Sequence, residues 1–184
     1  MEYVTTNGEQ EHGEIRRPKA ERKDTMSFYH EKFVLDIEGL DEIYRYAQEL
    51  GGNIETLREN LWVTEEQILS CFEKNRDQLS GYYYDTILRK LPKTEEYGKR
   101  ILSMFLKTQN NSVKISLAEC LTDFATEETY LTFYDLMKDS PIHKVPMEAC
   151  RIAHTFRRPD LLALFATDHD DHIRAFVHRT LRRE

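Results

Sequence analysis

Five of the seven histidines follow residue 140, and the run Asp168-His169-Asp170-Asp171-His172 packs metal-ligating side chains into five consecutive positions. A metal site needs three or four ligands converging from a rigid frame. This run falls instead where a turn must open a helix, and Asp is favoured there for capping alone. No metal ligand and no cofactor is expected. The three cysteines, Cys71, Cys120 and Cys150, are an odd number without CxxC spacing, which suits reduced core thiols rather than a disulfide framework or a zinc site. No glycine-rich phosphate loop, nucleophile elbow or Ser-His-Asp set is present, and the many carboxylates single out no acid-base pair, so no catalytic residue is assigned and no enzyme is expected.

Binding chemistry is better represented. Arg89, Arg151, Arg157, Arg158, Arg179 and Arg182, with His154, concentrate cationic side chains toward the C-terminal part of the sequence. Guanidinium forks suit carboxylate or phosphate. Asp160, Asp168, Asp170, Asp171 and Glu184 lie close in sequence and would, on the opposing reading, merely balance them. Three consecutive tyrosines, Tyr82, Tyr83 and Tyr84, cannot all face inward on a helix, because successive residues point about 100° apart. Tyr82 and Tyr84 are therefore carried as candidate partner anchors.

These groups need a scaffold. The chain has 184 residues, 40% hydrophobic and 32% charged, with only 7 Gly and 5 Pro. Few turn-formers argue against a sandwich or barrel and for helices. The net charge of −7 would repel phosphate backbones and anionic membranes, leaving nucleic acid disfavoured as a partner and a protein preferred. The longest apolar run, Leu161 to Ala166, is far short of a membrane span, and the polar N-terminus lacks an apolar leader, so a cytoplasmic location is expected. Residues 1–26 hold almost no apolar side chains and read as a flexible tail, 27–76 as an N-terminal helical segment, and 77–184 as the main domain.

Helix signals then recur. Leu40, Ile43, Tyr44, Ala47 and Leu50 share one face before Gly51-Gly52, and Asn53 could cap a brief helix to Leu61. Thr64 with Gln67 forms a capping box, a helix is expected over Asp77 to Leu91, and Thr-Glu-Glu opens helices at Thr64, Thr94 and Thr126. Counted from Tyr83, Val113, Val145 and Ile173, positions 0, +4, +7 and +8 repeat one apolar pattern: Tyr83, Ile87, Lys90, Leu91; Val113, Leu117, Cys120, Leu121; Val145, Ala149, Ile152, Ala153; Ile173, Val177, Thr180, Leu181. These registers lie 30, 32 and 28 residues apart, with second helices expected at Glu95 to Lys107, Glu127 to Lys138 and Asp160 to Ala166. A two-helix unit of near-constant length is a solenoid signature. Position +6 then forms a column of Arg89, Glu119, Arg151 and Arg179, and position +9 a column of Pro92, Thr122, His154 and Arg182.

The stretches Asn110-Asn111-Ser112-Val113-Lys114, Ser140-Pro141 with Val145, and Asp170-Asp171-His172-Ile173-Arg174 resemble the polar turn and first helix of HEAT-like repeats. Pro146 stands where the family often has a basic residue, so that helix is expected to begin at Pro146. The resemblance covers about residues 77–184. It implies an all-α, right-handed α-solenoid of about 3.5 HEAT-like helical hairpins, a scaffold rather than an activity. Residues 41–75 also resemble a Fis-type helix-turn-helix with Thr64 to Asn75 as recognition helix, which would make Thr64, Gln67 and Lys74 its DNA-binding residues. Glu65, Glu66 and Glu73 on that helix oppose the reading. Three functions stay open: a protein-protein adaptor, regulator or inhibitor; a DNA-associated transcriptional regulator; and, by resemblance to HEAT-like DNA glycosylases, a DNA-processing enzyme.

Overall fold

The structure, a computed structural model, describes residues 35–49 and 63–182. The tail at 1–26, the Gly51-Gly52 stop and the helix from Asn53 to Leu61 lie outside the described residues. Nine helices are described: α1 (Ile37–Glu49), α2 (Glu65–Asn75), α3 (Gly81–Thr86), α4 (Glu95–Lys107), α5 (Asn111–Phe124), α6 (Tyr130–Lys138), α7 (Val145–Thr155), α8 (Pro159–Ala163) and α9 (Asp171–Leu181). Short 3₁₀ turns occupy Arg76–Gln78 and Leu88–Lys90. Among the described residues there is no strand, so the protein is all-α, and no helix is long and apolar enough to cross a membrane.

The helices begin where polar side chains can satisfy free N–H groups. Thr64 and Gln67 make the reciprocal capping box of α2. Thr94 accepts from the Tyr97 N–H at 3.2 Å to open α4, Asn110 accepts from Ser112 and Val113 to open α5, and Asp170 accepts from His172 and Ile173 to open α9.

Four boundaries differ from expectation. The stretch from Asp77 to Leu91 is not one helix: Leu79 turns to extended backbone to bury its side chain, and α3 ends at Thr86 before a 3₁₀ turn. Thr126 does not cap α6. Its carbonyl accepts from the N–H groups of Thr129 and Tyr130, the Thr129 hydroxyl accepts from the Thr126 N–H at 2.9 Å, and this closed turn delays the helix to Tyr130. Helix α7 starts one residue before Pro146, with Lys144 as N-cap at φ 77°. Helix α8 starts at Pro159 and stops at Ala163, short of Ala166.

Packing follows chain order. Helix α3 lies against α5, α5 against α7 and α7 against α9, while α4 packs on α5, α6 on α7, and α8 on both α7 and α9. Helix α1 lies on α2 and α3, and α2 on α4. The residues from Val34 to Glu184 form one compact unit.

The repeated stripe supplies its interior. Val113, Val145 and Ile173 are buried, as are Leu117, Ala149 and Val177 four residues on, Cys120, Ile152 and Thr180 at +7, and Leu121 and Ala153 at +8. Each fully buried aliphatic side chain contributes roughly 1.5–3 kcal/mol. The first set departs from the pattern: Tyr83 is half-buried and Lys90 exposed, because α3 has ended before position +7 is reached. All three cysteines are buried free thiols, and burial pushes Cys150 up to about 12, too high for a reactive thiolate.

Candidate interaction surface

Position +9 of one helix meets position +3 of the next in two successive helix pairs. The hydroxyl of Thr122, at +9 on α5, donates to Glu148, at +3 on α7, at 2.9 Å. One helix further along, the His154 ring at +9 meets Phe176 at +3 edge-on, with centroids 6.1 Å apart. Between the first two registers, Arg89 and Glu119, both at +6, approach to 3.9 Å. The +6 positions form a row of charged letters in the register, with direct contact seen between Arg89 and Glu119.

The row changes character along its length. Arg89 is held by three carboxylates: its Nε donates to Asp123 at 2.6 Å, its Nη1 to Asp85 at 3.2 Å, and Glu119 stands beyond. The Asp123 bond chiefly raises its pKa further, so this cation is permanent and already neutralised. Arg151 has one carboxylate partner, Glu148, at 3.0 Å. Glu148 is itself buried, and desolvation raises its carboxyl above the usual range, with Arg151 and the Thr122 hydroxyl pulling the other way.

Arg157, Arg179 and Arg182 are exposed and make no ion pair among the described residues. His154 is exposed beside them and keeps its ring contact with Phe176. Among the described residues, four acids nearby in sequence have other partners. Asp160 holds Arg158, Asp170 caps α9, Asp171 pairs with Arg174, and Asp168 accepts from the Asp170 N–H.

Two sequence candidates are spent on structure. The Arg158 fork grips Asp160 at 2.9 and 2.6 Å and donates to the Tyr130 hydroxyl at 2.7 Å, while Tyr130 stacks on Phe156 at 4.5 Å. Arg158 thus ties α6 to the end of α7. Tyr84 corrects the expectation of a surface anchor: it is fully buried, packs edge-on against Phe72, and donates its hydroxyl to the Arg76 carbonyl at 2.8 Å. Of the three tyrosines Tyr82 is the exposed one, at 71%.

Arg157 occupies an unusual place. Its N–H bonds the His154 carbonyl at 3.0 Å, and the next N–H, of Arg158, bonds Ala153 at 2.8 Å, which is the Schellman closure of α7. The residue between must adopt left-handed backbone, φ 51° here, where glycine is the usual occupant.

The alternative DNA-reading residues are placed otherwise. Thr64 and Gln67 bond one another in the capping box. Glu66 and Glu73 on the same helix grip Arg100 of α4, and Glu65 accepts from the Tyr97 hydroxyl at 2.6 Å, so this flank of α2 faces α4. Lys74 remains exposed at its end. Among the described residues no group of three or more His, Cys, Asp or Glu is placed to hold a metal ion.

Sequence reasoning placed Glu119 in the +6 column but passed over Asp123 and Glu148, which stand in the same register at +10 and +3. Comparison with protein-family models, curated proteins and solved structures finds no match to this chain.

Proposed function

We propose that this chain is a non-enzymatic binding module, a tandem array of HEAT-like helical hairpins that engages another protein as an adaptor, regulator or inhibitor. The reading rests on one observation above the others: Arg157, Arg179 and Arg182 stand exposed without an ion pair among the described residues, while Asp160, Asp170 and Asp171 are engaged with other partners. The order of packing, α3 to α5 to α7 to α9, and the repeated contact of position +9 with position +3 of the next helix support the solenoid arrangement. Stacked modules of this kind present a continuous surface whose side chains can vary without disturbing the buried stripe. The engagement of Glu66 and Glu73 with Arg100 weighs against α2 as a reader of DNA.

The test is affinity capture from the native cell with wild-type protein and with the Arg151→Glu/Arg179→Glu variant, alongside binding to random duplex DNA followed against ionic strength. Partners retained by wild type and lost by the variant are expected, with no DNA binding at about 50 mM salt. Steeply salt-dependent DNA binding would overturn the protein-partner reading.

A further inference from the structure

The hydroxyl of Thr122 faces two acceptors with one proton to give. It lies 3.1 Å from the Ala118 carbonyl, one turn back on α5, and 2.9 Å from Oε2 of Glu148 on α7. A hydroxyl donates one hydrogen bond and can accept others, so only one of these oxygens receives its proton at a time. Glu148 is 3% exposed, and its other oxygen pairs with Nη1 of Arg151 at 3.0 Å.

Two arrangements satisfy this trio. With the carboxyl ionised, Thr122 and Arg151 both donate to it, and the hydroxyl proton is withdrawn from Ala118. With the carboxyl protonated on Oε2 the order reverses: Glu148 donates to the Thr122 oxygen, and Thr122 donates to Ala118. A solvent proton therefore enters without stranding a buried donor or acceptor, and only hydrogen bonds rearrange.

The surrounding charges bear on which arrangement is held. Desolvation is the chief effect and raises the Glu148 carboxyl above the usual range; Arg151, the Thr122 hydroxyl and Arg89 oppose it, while Glu119 of α5 reinforces it. Lys144, at the start of α7, acts on Glu119. The remaining acids on the packed elements have local partners: Asp123 of α5 holds Arg89, Asp135 of α6 holds Lys138, Asp160 of α8 holds Arg158, and Asp171 of α9 holds Arg174. Lys114 of α5 lies over the Phe105 ring, the His154 ring of α7 meets Phe176, and His172, His178 and Arg179 of α9 are exposed.

We infer that Glu148, Thr122 and the Ala118 carbonyl form a two-position proton switch between α5 and α7, which on taking up one proton releases Arg151 from its ion pair. The Arg151 side chain is already 52% exposed, so its release adds a free cation to the surface as pH falls. The inference stands apart from the binding-module reading, since it concerns the chain without a partner.

The measurement is NMR of the full chain across pH, reading the Glu148 carboxyl carbon, the Ala118 carbonyl carbon and the motion of the Arg151 Nε–H group. Glu119 adjoins Ala118 in sequence, so the titration is repeated in Glu119→Gln, where that neighbouring carboxyl is gone. Wild-type Glu148 is expected to titrate above the ordinary value of about 4.3. Ala118 should shift at the Glu148 midpoint in both proteins, and the Arg151 order parameter should fall through that midpoint while that of Arg179 stays level. Thr122→Ser should keep the Ala118 shift. Thr122→Val should abolish it and move the Glu148 midpoint higher, because the ionised carboxyl loses a donor. A Glu148 midpoint at or below about 4.3, an Ala118 shift that is absent in Glu119→Gln or persists in Thr122→Val, or an Arg151 whose motion does not change would each overturn the switch.

Discussion

Arg100 and Arg179 are the same side chain in opposite settings. Arg100 lies between α2 and α4, its Nε and Nη2 on Glu73 at 2.8 Å each and its Nη1 on Glu66, with the Ser70 hydroxyl at 3.5 Å. Arg179 stands exposed on α9 and makes no ion pair among the described residues. The difference follows the charge distribution of the chain. Residues 35–75 hold ten Asp and Glu against three Arg and Lys, whereas residues 151–184 hold seven Arg against five acids. Two carboxylates of the first region, Glu66 and Glu73, grip a cation that α4 supplies, Arg100. In the second, cations outnumber the acids, and most of those acids are already used as caps or local partners. The same residue type therefore clamps two helices in one setting and stands exposed in the other.

The sharpest way to break this comparison is to remove each arginine in turn. Arg100→Ala leaves Glu66 and Glu73 facing one another without a cation and is expected to cost about 1–3 kcal/mol. Arg179→Ala is expected to stay within about 0.5 kcal/mol. Urea unfolding of both variants decides the matter, and equal losses would mean that the two regions do not differ.

Arg157→Gly sharpens the comparison from the other side. Glycine at the left-handed position of the α7 closure relieves backbone strain, so the variant is expected to gain about 1 kcal/mol in thermal unfolding. A loss of stability would show that the guanidinium contributes to the fold after all.

The smallest effect is a pH dependence of opposite sign in the two regions. Burial raises the carboxyl of Glu148, so the folded protein holds its proton more tightly than the unfolded chain does. The stability this lends is full below the ordinary carboxylate range and is lost as pH rises through the raised value. Glu148→Gln should therefore be more stable than wild type at about pH 7, by an amount that fades below about pH 4. Glu66 behaves the other way. The Arg100 hydrogen bond lowers its carboxyl, so its contribution is present above the ordinary range and is lost as pH falls through the lowered value. Its side chain is 64% exposed, which keeps that contribution small. Melting curves of Glu148→Gln and Glu66→Gln across pH would show slopes of opposite sign, and parallel slopes would contradict both assignments.

Much of the fold was legible one helix at a time. The capping box at Thr64, the caps at Thr94, Asn110 and Asp170, and the buried stripe of α5, α7 and α9 all depend on residues within a turn or two of one another, where spacing and hydrogen-bonding chemistry decide the outcome. The breaks were harder to read. The stretch from Asp77 to Leu91 carries helix-forming letters, yet burying Leu79 and docking the Tyr84 hydroxyl on Arg76 interrupt it. Thr126 has the letters of a cap, but the Thr129 hydroxyl turns back and takes its N–H.

The candidate surface was legible only as a list of cations. That Arg89 would be neutralised and Arg179 left open depends on bonds such as Arg89 to Asp123, which span 34 residues. Composition, caps and the 3.6-residue period determined that this chain is helical and which faces turn inward, because those are local properties of the backbone and its nearest side chains. Which arginine meets a carboxylate and which stands exposed was decided by how neighbouring helices are staggered, and that stagger comes from packing across the whole interior.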